Sequence, residues 1–240
     1  MTRLDDPELV TAEYADDARL RTRAAAYTGV GTVVDARTAI VKAVAEARPA
    51  TVLEVGCGWG ELARWIADEV GAGVVAVDLS PRMVELARAN GVDAQVADVQ
   101  SLPFDDGSFD VVVAAWMLYH VPDRERAVSE LARVLRPGGR LVAATNSVLH
   151  LHELRELVGS GPSTIAFSRE SGLELLGRDF PRVERIDIDG ELEFADREAV
   201  EEYVRASISM SPFLANLPDA IDEPFRARRS NSIFVAEKAA

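Results

Sequence analysis

The pattern of hydrophobic and polar positions changes along the chain. Residues 8–47 follow a period of 3.6 residues, with breaks around Thr28–Gly31, which predicts two or three helices. From residue 51 onward, short apolar runs alternate with longer segments of helical period. This alternation is typical of a parallel sheet that is covered by helices on both faces.

Residues 51–146 carry the clearest pattern. Ser80 and Pro81 are residue types preferred where a helix begins, and Gly91 is typical of the position after a helix end. The segment predicts strands at Thr51–Val55, Gly73–Val77, Asp93–Ala97, Phe109–Ala114 and Leu141–Thr145, and helices at Glu61–Val70, Ser80–Asn90 and Pro122–Leu135.

The periodicity is weaker after residue 146. We expect residues 208–230 to be irregular, because they contain three prolines and no clear period. The remaining predicted elements are helices at His150–Val158, Glu170–Gly177 and Asp196–Ser207, an extended segment at Val183–Phe194 and a last strand at Ser232–Ala236.

Composition and charge narrow the class of protein. The net charge of −14 disfavours a nucleic-acid substrate, since such proteins need a basic surface. Cys57 is the only cysteine, so an internal disulfide and a cysteine-rich metal site are excluded. We expect no metal ion, because His150 and His152 are interpreted as a solvated helix start. The basic run 226–229 is interpreted as a solvated face. No apolar run is long enough to span a membrane, and the first residues lack a signal-peptide pattern, so a cytoplasmic protein is expected.

A glycine-rich turn follows the first strand of the central segment. Glycines at 56, 58 and 60 let the backbone turn sharply and approach a ligand, although an ordinary strand-to-helix turn is the alternative. A dinucleotide site would place its third glycine at position 61, where this chain has Glu61, and a carboxylate there opposes a pyrophosphate. Glu54 suits a ligand with an ammonium group, such as the methionine part of S-adenosylmethionine (SAM).

Two aspartates follow the next two strands. Asp78 is placed to accept hydrogen bonds from ribose hydroxyls, which supports a nucleoside without choosing between NAD and SAM. Asp98 is placed to receive the amine of adenine, with the Val99 N–H facing a ring nitrogen. Leu79 and Met83 could sandwich the adenine. The alternatives are a helix cap for Asp78, a turn residue for Asp98 and core positions for the two apolar side chains.

The chain resembles the class I SAM-dependent methyltransferases, in their ubiquinone/menaquinone-methyltransferase-like small-molecule branch. Four motifs carry the resemblance in the family's order and spacing, over roughly residues 50–146. They are Leu53–Gly60, Val77–Met83, Asp98 with Leu102–Asp110, and Leu135–Leu141.

The resemblance implies a Rossmann-like α/β fold with a seven-stranded, mostly parallel sheet whose last strand is antiparallel. It implies that Gly56 and Gly58 contact the methionine part of the cofactor S-adenosyl-L-methionine, which becomes S-adenosyl-L-homocysteine (SAH). We therefore expect one methyltransferase domain over residues 1–240. Its parts are a helical cap at 1–45, a SAM-binding core at 46–146, an acceptor-site and lid region at 147–230 and the last strand at 231–240.

The expected reaction is a direct in-line transfer of the methyl group to a small-molecule acceptor. Trp116, Tyr119 and His120 follow the fourth strand, where the methyl group should point. Trp116 offers an aromatic face to the sulfonium, and His120 and Tyr119 are the candidate catalytic residues, with His120 as the base. The alternative for His120 is a residue that only hydrogen-bonds the backbone of the strand-to-helix turn. Tyr14 and Tyr27 are candidates to close over the site, and core packing is the alternative for both.

Three other functions stay open at this point. One is a nicotinamide-dependent oxidoreductase, another a catalytically silent SAM-binding subunit, and a third a SAM enzyme that performs a different chemistry. The sequence does not distinguish oxygen, nitrogen and carbon acceptors. A homodimer is compatible with it, but the oligomeric state is not specified.

Overall fold

Seven strands form one sheet in the computed structural model, which describes residues 4–27 and 35–240. They are β1 (Thr51–Val55), β2 (Gly73–Asp78), β3 (Asp93–Val96), β4 (Phe109–Ala115), β5 (Leu135–Asn146), β6 (Arg182–Phe194) and β7 (Phe225–Glu237). The order is β3-β2-β1-β4-β5-β7-β6. Pairing is parallel from β3 to β5, while β7 runs antiparallel to both β5 and β6. The predicted fold class is confirmed.

Helices cover the sheet and cross its edge. Within the described residues they are α1 (Pro7–Glu13), α2 (Ala18–Ala25), α3 (Ala36–Glu46), α4 (Glu61–Val70), α5 (Pro81–Ala89), α6 (Arg124–Val134), α7 (His152–Leu157), α8 (Gly172–Leu176) and α9 (Arg197–Ala206). Two short 3-10 helices lie at Leu118–His120 and Ser211–Asn216. None of the helices in the described part of the chain has the length and apolarity needed to cross a membrane.

Local sequence explains why these helices begin and end where they do. The Ser80 hydroxyl accepts a hydrogen bond from the Met83 N–H at 3.3 Å, and Pro81 occupies the first helical position of α5. Helix α4 ends at Gly71, whose left-handed conformation (φ +70°) suits glycine.

Two hydrophobic clusters occupy opposite faces of the sheet. Neighbouring residues of one strand belong to different clusters: Val52 packs with α3 and α4, whereas Leu53 packs with α6. Because both faces of the central strands are buried, β4 shows a continuous apolar run from Val111 to Ala115, and the buried positions of β1 are apolar except for Glu54.

The C-terminal part departs from the sequence-based prediction. Residues 208–230 are not irregular throughout, since β7 begins at Phe225 and is hydrogen-bonded to β5 on one side and β6 on the other. The basic run is therefore not a uniform solvated face: Arg226 and Arg228 are exposed, but Arg229 is only 4% exposed. The basic run pairs with β6 alone, because β5 pairs only with residues 231–237 of β7.

Helices α1 and α2 lie across the carboxyl ends of the parallel strands. The Ser80 hydroxyl donates to the Tyr14 carbonyl oxygen at 2.7 Å, and Arg19 donates to the Arg205 carbonyl oxygen at 3.2 Å. The buried Glu13 carboxylate pairs with Arg19 and Arg23. These contacts hold the N-terminal helices between the strand ends and α9.

Candidate active site

Two cavities open at the carboxyl ends of the strands. The strand-end cavity, of about 320 Å³, lies beside β1, β2 and β4, and its wall includes Glu54, Gly56, Asp78 and Asp98. The helix-side cavity, of about 310 Å³, lies between α2, α7 and α9. Both cavities are lined by Tyr14, Leu20, Arg23, Arg37, Trp116, Tyr119 and His120. These seven residues form the shared wall.

The glycine turn forms the floor of the strand-end cavity. Gly56 and Gly58 have positive φ values of 71° and 54°. A Cβ on Gly56 would lie 2.7 Å from the Cβ of Met117, too close to be accommodated. At Gly58 the nearest atom to such a Cβ is Leu20 Cδ2 at 3.7 Å. A side chain at Gly58 would therefore occupy the space that a ligand needs.

Glu54 is a buried acid without a counter-charge. Desolvation raises its pKa to about 8, although the Ala63 backbone N–H donates to the carboxyl group. Its Oε2 atom is buried without a hydrogen-bond partner in the described structure. An unsatisfied buried carboxyl oxygen that borders a cavity fits an ammonium group.

Asp78 and Asp98 lie where the ribose and adenine contacts are expected. Asp78 accepts backbone N–H donors from Gly58 and Ser80, each at 2.9 Å. Burial raises the pKa of Asp78 above its ordinary value. The backbone N–H of Gln100 donates to the Asp98 carboxylate at 2.8 Å, and the side-chain amide of Gln100 donates to it as well. Both aspartates line the strand-end cavity, and their contacts with a nucleoside stay predictions.

The structure places two of the three apolar candidates at the strand-end cavity and the third in the core. Leu79, which is 52% exposed, and Val99 line the strand-end cavity. Met83 does not: it is fully buried in α5 and is absent from the lining. The prediction that Met83 sandwiches the adenine is not supported, because the first turn of α5 directs this side chain into the core.

These residues fit the predicted cofactor better than a dinucleotide. Glu54 suits an ammonium group, and the guanidiniums of Arg23 and Arg37, which pair with Glu13 and Asp35, offer a carboxylate further N–H donors in the same cavity. Glu61, at the start of α4, also lines it, and this carboxylate would face a pyrophosphate. SAM has the first two groups and lacks the pyrophosphate.

His120 is held at the shared wall by both ring nitrogens. Nδ1 lies 2.8 Å from the Leu4 carbonyl oxygen, which can only accept, so Nδ1 carries the proton. Nε2 is then an acceptor, and the Tyr14 hydroxyl, 2.9 Å away, donates to it. Burial lowers the pKa of His120 below its ordinary value, so the ring is neutral at pH 7. Tyr119 packs against this ring, with centroids 4.5 Å apart.

Trp116 occupies a strained position at the end of β4. Its φ of +53° is unusual for a bulky residue. The indole N–H donates to Asn146 Oδ1 at 3.2 Å, and Asn231 donates to the same oxygen at 2.6 Å. The indole is thereby fixed in the wall between the two cavities.

The helix-side cavity contains functional groups that the sequence did not indicate. The prediction that His150 is solvated is wrong. This residue is only 8% exposed, because the turn before α7 packs against β7. The Ser230 N–H donates to its Nδ1 at 3.1 Å, and Nε2 lies 2.9 Å from the Tyr27 hydroxyl. Burial and nearby arginines lower the pKa of His150 to about 3. Only His152 conforms to the solvated interpretation, pairing with Glu156 at 3.2 Å.

Within the described residues, no group of three or more histidine, cysteine, aspartate or glutamate side chains is arranged to hold a metal ion. Arg23, Arg155, Tyr203 and Asn231 also line the cavities without having been predicted. They lie far apart along the chain, and no motif links them.

Comparison with known proteins identifies the central segment. Residues 53–143 match the family model described as a methyltransferase domain. The chain is 44% identical over 103 residues to a ubiquinone biosynthesis O-methyltransferase of Xanthomonas oryzae, covering 40% of this chain and 43% of the relative. It is 41% identical over 104 residues to a demethylmenaquinone methyltransferase of Thermus thermophilus, covering 40% and 47%. The aligned part thus spans less than half the length of these relatives.

A solved structure shows the same fold over most of the chain. A putative methyltransferase from Bacillus halodurans superposes with a TM-score of 0.63 at 21% identity, covering 85% of this chain and 100% of that one. The matched motifs and the cavity at the strand ends lie in the same segment. Residues 53–143 therefore match a methyltransferase domain, which implies S-adenosyl-L-methionine as the cofactor, and this segment is similar to methyltransferases of the ubiquinone/menaquinone branch.

Proposed function

We propose that this protein transfers the methyl group of SAM to an oxygen atom of a small molecule that binds in the helix-side cavity. The observation that carries the proposal is the shared wall: two cavities of similar volume meet at Tyr14, Trp116 and His120. A donor in one cavity and an acceptor in the other would meet there. The relative from Xanthomonas oryzae, named as an O-methyltransferase, favours oxygen as the acceptor atom.

The size and charge of the site support a small acceptor. A cavity of about 310 Å³ suits a small molecule. The net charge of −14 opposes the approach of a nucleic-acid backbone. We place the reaction in the cytoplasm, because SAM is a cytoplasmic metabolite.

The chain's role would be chiefly to align the reactants and exclude water. SAM supplies a methyl group on a sulfonium, which is already an excellent leaving group. Trp116 fixes an aromatic face at the shared wall, where it can stabilise positive charge. Helices α1 and α2 cover the strand ends and would keep water from the transfer.

The Tyr14–His120 pair would take the proton that a hydroxyl acceptor must lose. Since the lone pair of His120 Nε2 already accepts the Tyr14 proton, the acceptor would donate to the Tyr14 oxygen. Tyr14 would pass its proton to Nε2 as it receives the acceptor's. His120 is therefore a base acting through Tyr14, and the Leu4 carbonyl oxygen would stabilise the imidazolium.

Ligand-dependent thermal unfolding tests the cofactor assignment. SAM or SAH at 100 times its Kd should stabilise the folded protein by about 2.7 kcal/mol and raise Tm by roughly 5–10 °C. NADH should leave Tm unchanged. A shift with NADH and none with either adenosyl compound would contradict the proposal.

Product formation tests the transfer itself. The protein would be incubated with methyl-labelled SAM and extracts of its source cells, and labelled small molecules would be identified by mass spectrometry. We expect a labelled methyl ether or ester. SAM binding without any labelled product would instead favour the catalytically silent subunit.

A further inference from the structure

The helix-side cavity has an uncompensated positive charge in an otherwise acidic protein. Arg155 of α7 lines this cavity, and its Nε atom is buried without a hydrogen-bond partner in the described structure. One of its terminal nitrogens donates to the Ser209 hydroxyl at 2.9 Å. No carboxylate among residues 4–27 and 35–240 forms an ion pair with Arg155.

The other charges of this cavity do not neutralise Arg155. Arg23 is paired with Glu13, and Arg37 pairs with Asp35 at 2.8 Å. Arg229 also lines the cavity, close enough to Asp35 for their charges to interact. The sequence of residues 28–34, Thr-Gly-Val-Gly-Thr-Val-Val, contains no acidic side chain. Within the described residues, the charge of Arg155 is therefore balanced by no carboxylate.

A chain of hydrogen bonds directs one more donor toward the same region. Because His150 Nδ1 accepts from the Ser230 N–H and the ring is neutral, Nε2 carries the proton and donates to the Tyr27 hydroxyl. The Tyr27 and Tyr203 hydroxyls lie 3.2 Å apart, and either can donate to the other. When Tyr27 donates, the Tyr203 proton is available to a ligand. Tyr203 lines the cavity and lies close enough to Arg155 for their charges to interact.

We propose that the methyl acceptor carries a carboxylate group, which Arg155 and Tyr203 bind while its reacting hydroxyl lies at Tyr14. This inference rests on the proposed function, since it assigns the helix-side cavity to the acceptor. A guanidinium and a hydroxyl match the charge and the two oxygens of a carboxylate. The rest of the lining includes Leu20, Ile165, Ile208 and Met210, which suit an apolar body between the two polar ends.

Matched acids and amides test the carboxylate site. The probes are 4-hydroxybenzoate, 4-hydroxyphenylacetate and 4-hydroxycinnamate, each with its primary amide, titrated calorimetrically into protein saturated with SAH. We expect at least one acid to bind tenfold or more tightly than its amide, because the amide loses the charge-assisted hydrogen bonds. Equal affinity within every pair, or no binding by any acid, would overturn the proposal.

Substitutions at Arg155 and Tyr203 test whether these residues cause the preference for the acid over its amide. Arg155→Met keeps the length of the side chain and should remove the preference for the acid, while the Kd for SAH changes less than twofold. Tyr203→Phe should weaken acid binding severalfold. The matched control is Arg178→Met, since Arg178 is exposed at the end of α8 and pairs with Glu125; it should keep the wild-type preference.

The outcomes separate this proposal from the proposed function. An Arg155→Met protein that is folded, binds SAH and still prefers the acid would overturn the carboxylate site alone. A wild-type protein that binds the acids but neither SAM nor SAH would support the carboxylate site and contradict the proposed function. Arg155→Lys gives a further check, because it retains the charge and should keep part of the preference.

Discussion

At the scale of single residues, the raised pKa of Glu54 leads us to expect that cofactor binding is coupled to the release of a proton from this carboxyl group. With its pKa raised to about 8, this carboxyl group is mostly protonated at pH 7 in the free protein. An ammonium group placed beside it would favour the charged form and lower that pKa. The Glu54 carboxyl group, whose buried Oε2 atom has no hydrogen-bond partner in the described structure, is thus mostly neutral until a positively charged ligand binds.

We predict that SAH binding at pH 7 releases close to one proton from Glu54. Calorimetric titration in buffers of different ionisation enthalpy measures this release directly. Glu54→Gln keeps the shape of the side chain and should abolish the release, and the difference between the two proteins isolates Glu54 from the ligand's own titration. An identical proton count in both proteins would contradict the assignment.

Glu54 also makes the stability of the free protein depend on pH. Its folded pKa lies above the unfolded value of about 4.5, so the folded state binds more protons between these two values. The contribution of Glu54 to stability is therefore fully present below about pH 4.5 and is lost as the pH rises toward 8. Glu54→Gln should remove this component of the pH dependence.

His120→Asn tests the base at the shared wall. Asparagine can still donate to the Leu4 carbonyl oxygen but cannot take a proton, so we expect turnover of a hydroxyl acceptor to fall roughly 10²–10⁴-fold at saturating SAM. Tyr14→Phe should give a comparable loss. Because the pKa of His120 is lowered, wild-type kcat should be constant near pH 7 and fall only below pH 6.5, and this fall should vanish in His120→Asn.

The control for this experiment is His152→Asn, a change at a partly exposed histidine on α7 that pairs with Glu156. It should leave kcat and its pH profile unaltered. If His120→Asn lowered kcat less than about fivefold, with SAM affinity unchanged, His120 would be a structural residue of the strand-to-helix turn.

At the scale of elements, the contact between the glycine turn and α5 fixes the floor of the strand-end cavity. Gly60 precedes α4 with a φ of +81°. A Cβ added there would lie 2.9 Å from Val92 Cγ2 and about 3.0 Å from Ala87, which leaves no space for it. Close packing and backbone conformation therefore both require glycine at this position.

We predict that Gly60→Ala lowers the free energy of unfolding by roughly 2–5 kcal/mol, the sum of left-handed strain and overpacking. Gly71→Ala is the matched control. Gly71 has a similar φ of +70° but nothing within 4 Å of the added Cβ, so it should cost only about 1–2 kcal/mol. Urea unfolding measures both, and equal losses would mean that the packing against α5 is unimportant.

The elements differ in how well the sequence predicts them, for a physical reason. Strands β1 to β4 lie within a residue of their predicted bounds. Strands β1 and β4 are buried along most of their length, so their apolar residues show their extent, and a glycine precedes or begins each of β2 and β3. Strand β5 begins at Leu135, six residues before the predicted start, because Leu135 pairs with Phe109 across an irregularity in the register. The first half of β7 has no apolar signal, since its pairing with β6 is a tertiary effect.

The same division applies to the site. Glu54 and Asp78 lie at the carboxyl ends of β1 and β2, and Asp98 follows β3. Because the ends of parallel strands meet at one edge of a sheet, the proximity of these residues can be predicted from the sequence. Arg155 and Tyr203 come from α7 and α9, and only the packing of these helices against β7 brings them to the cavity. A short-range pattern contains no information about such contacts.

At the scale of the whole molecule, the N-terminal segment is the candidate for a moving part. The sequence predicts a helical cap over residues 1–45 and a lid region within residues 147–230. In the structure, α9 and β7 share a buried cluster that includes Tyr203, Val204 and Ala227, so this part is integral to the fold. Helices α1 and α2 instead line the cavities through Tyr14, Leu20 and Arg23 and are attached mainly by polar contacts.

We predict that SAH slows hydrogen exchange in α1 and α2 and leaves α9 unchanged. Because α1 and α2 lie over the strand-end cavity, contacts of bound SAH with Leu20 and Arg23 should favour the closed state of these helices. Exchange would be followed by mass spectrometry on peptides covering residues 7–25, with α6 and α9 as internal controls that are protected in both states. A tenfold or greater slowing confined to the N-terminal peptides is expected. Equal exchange with and without SAH would mean that the cofactor does not stabilise these helices, whereas slowing in α9 as well would extend the cover to the lid region.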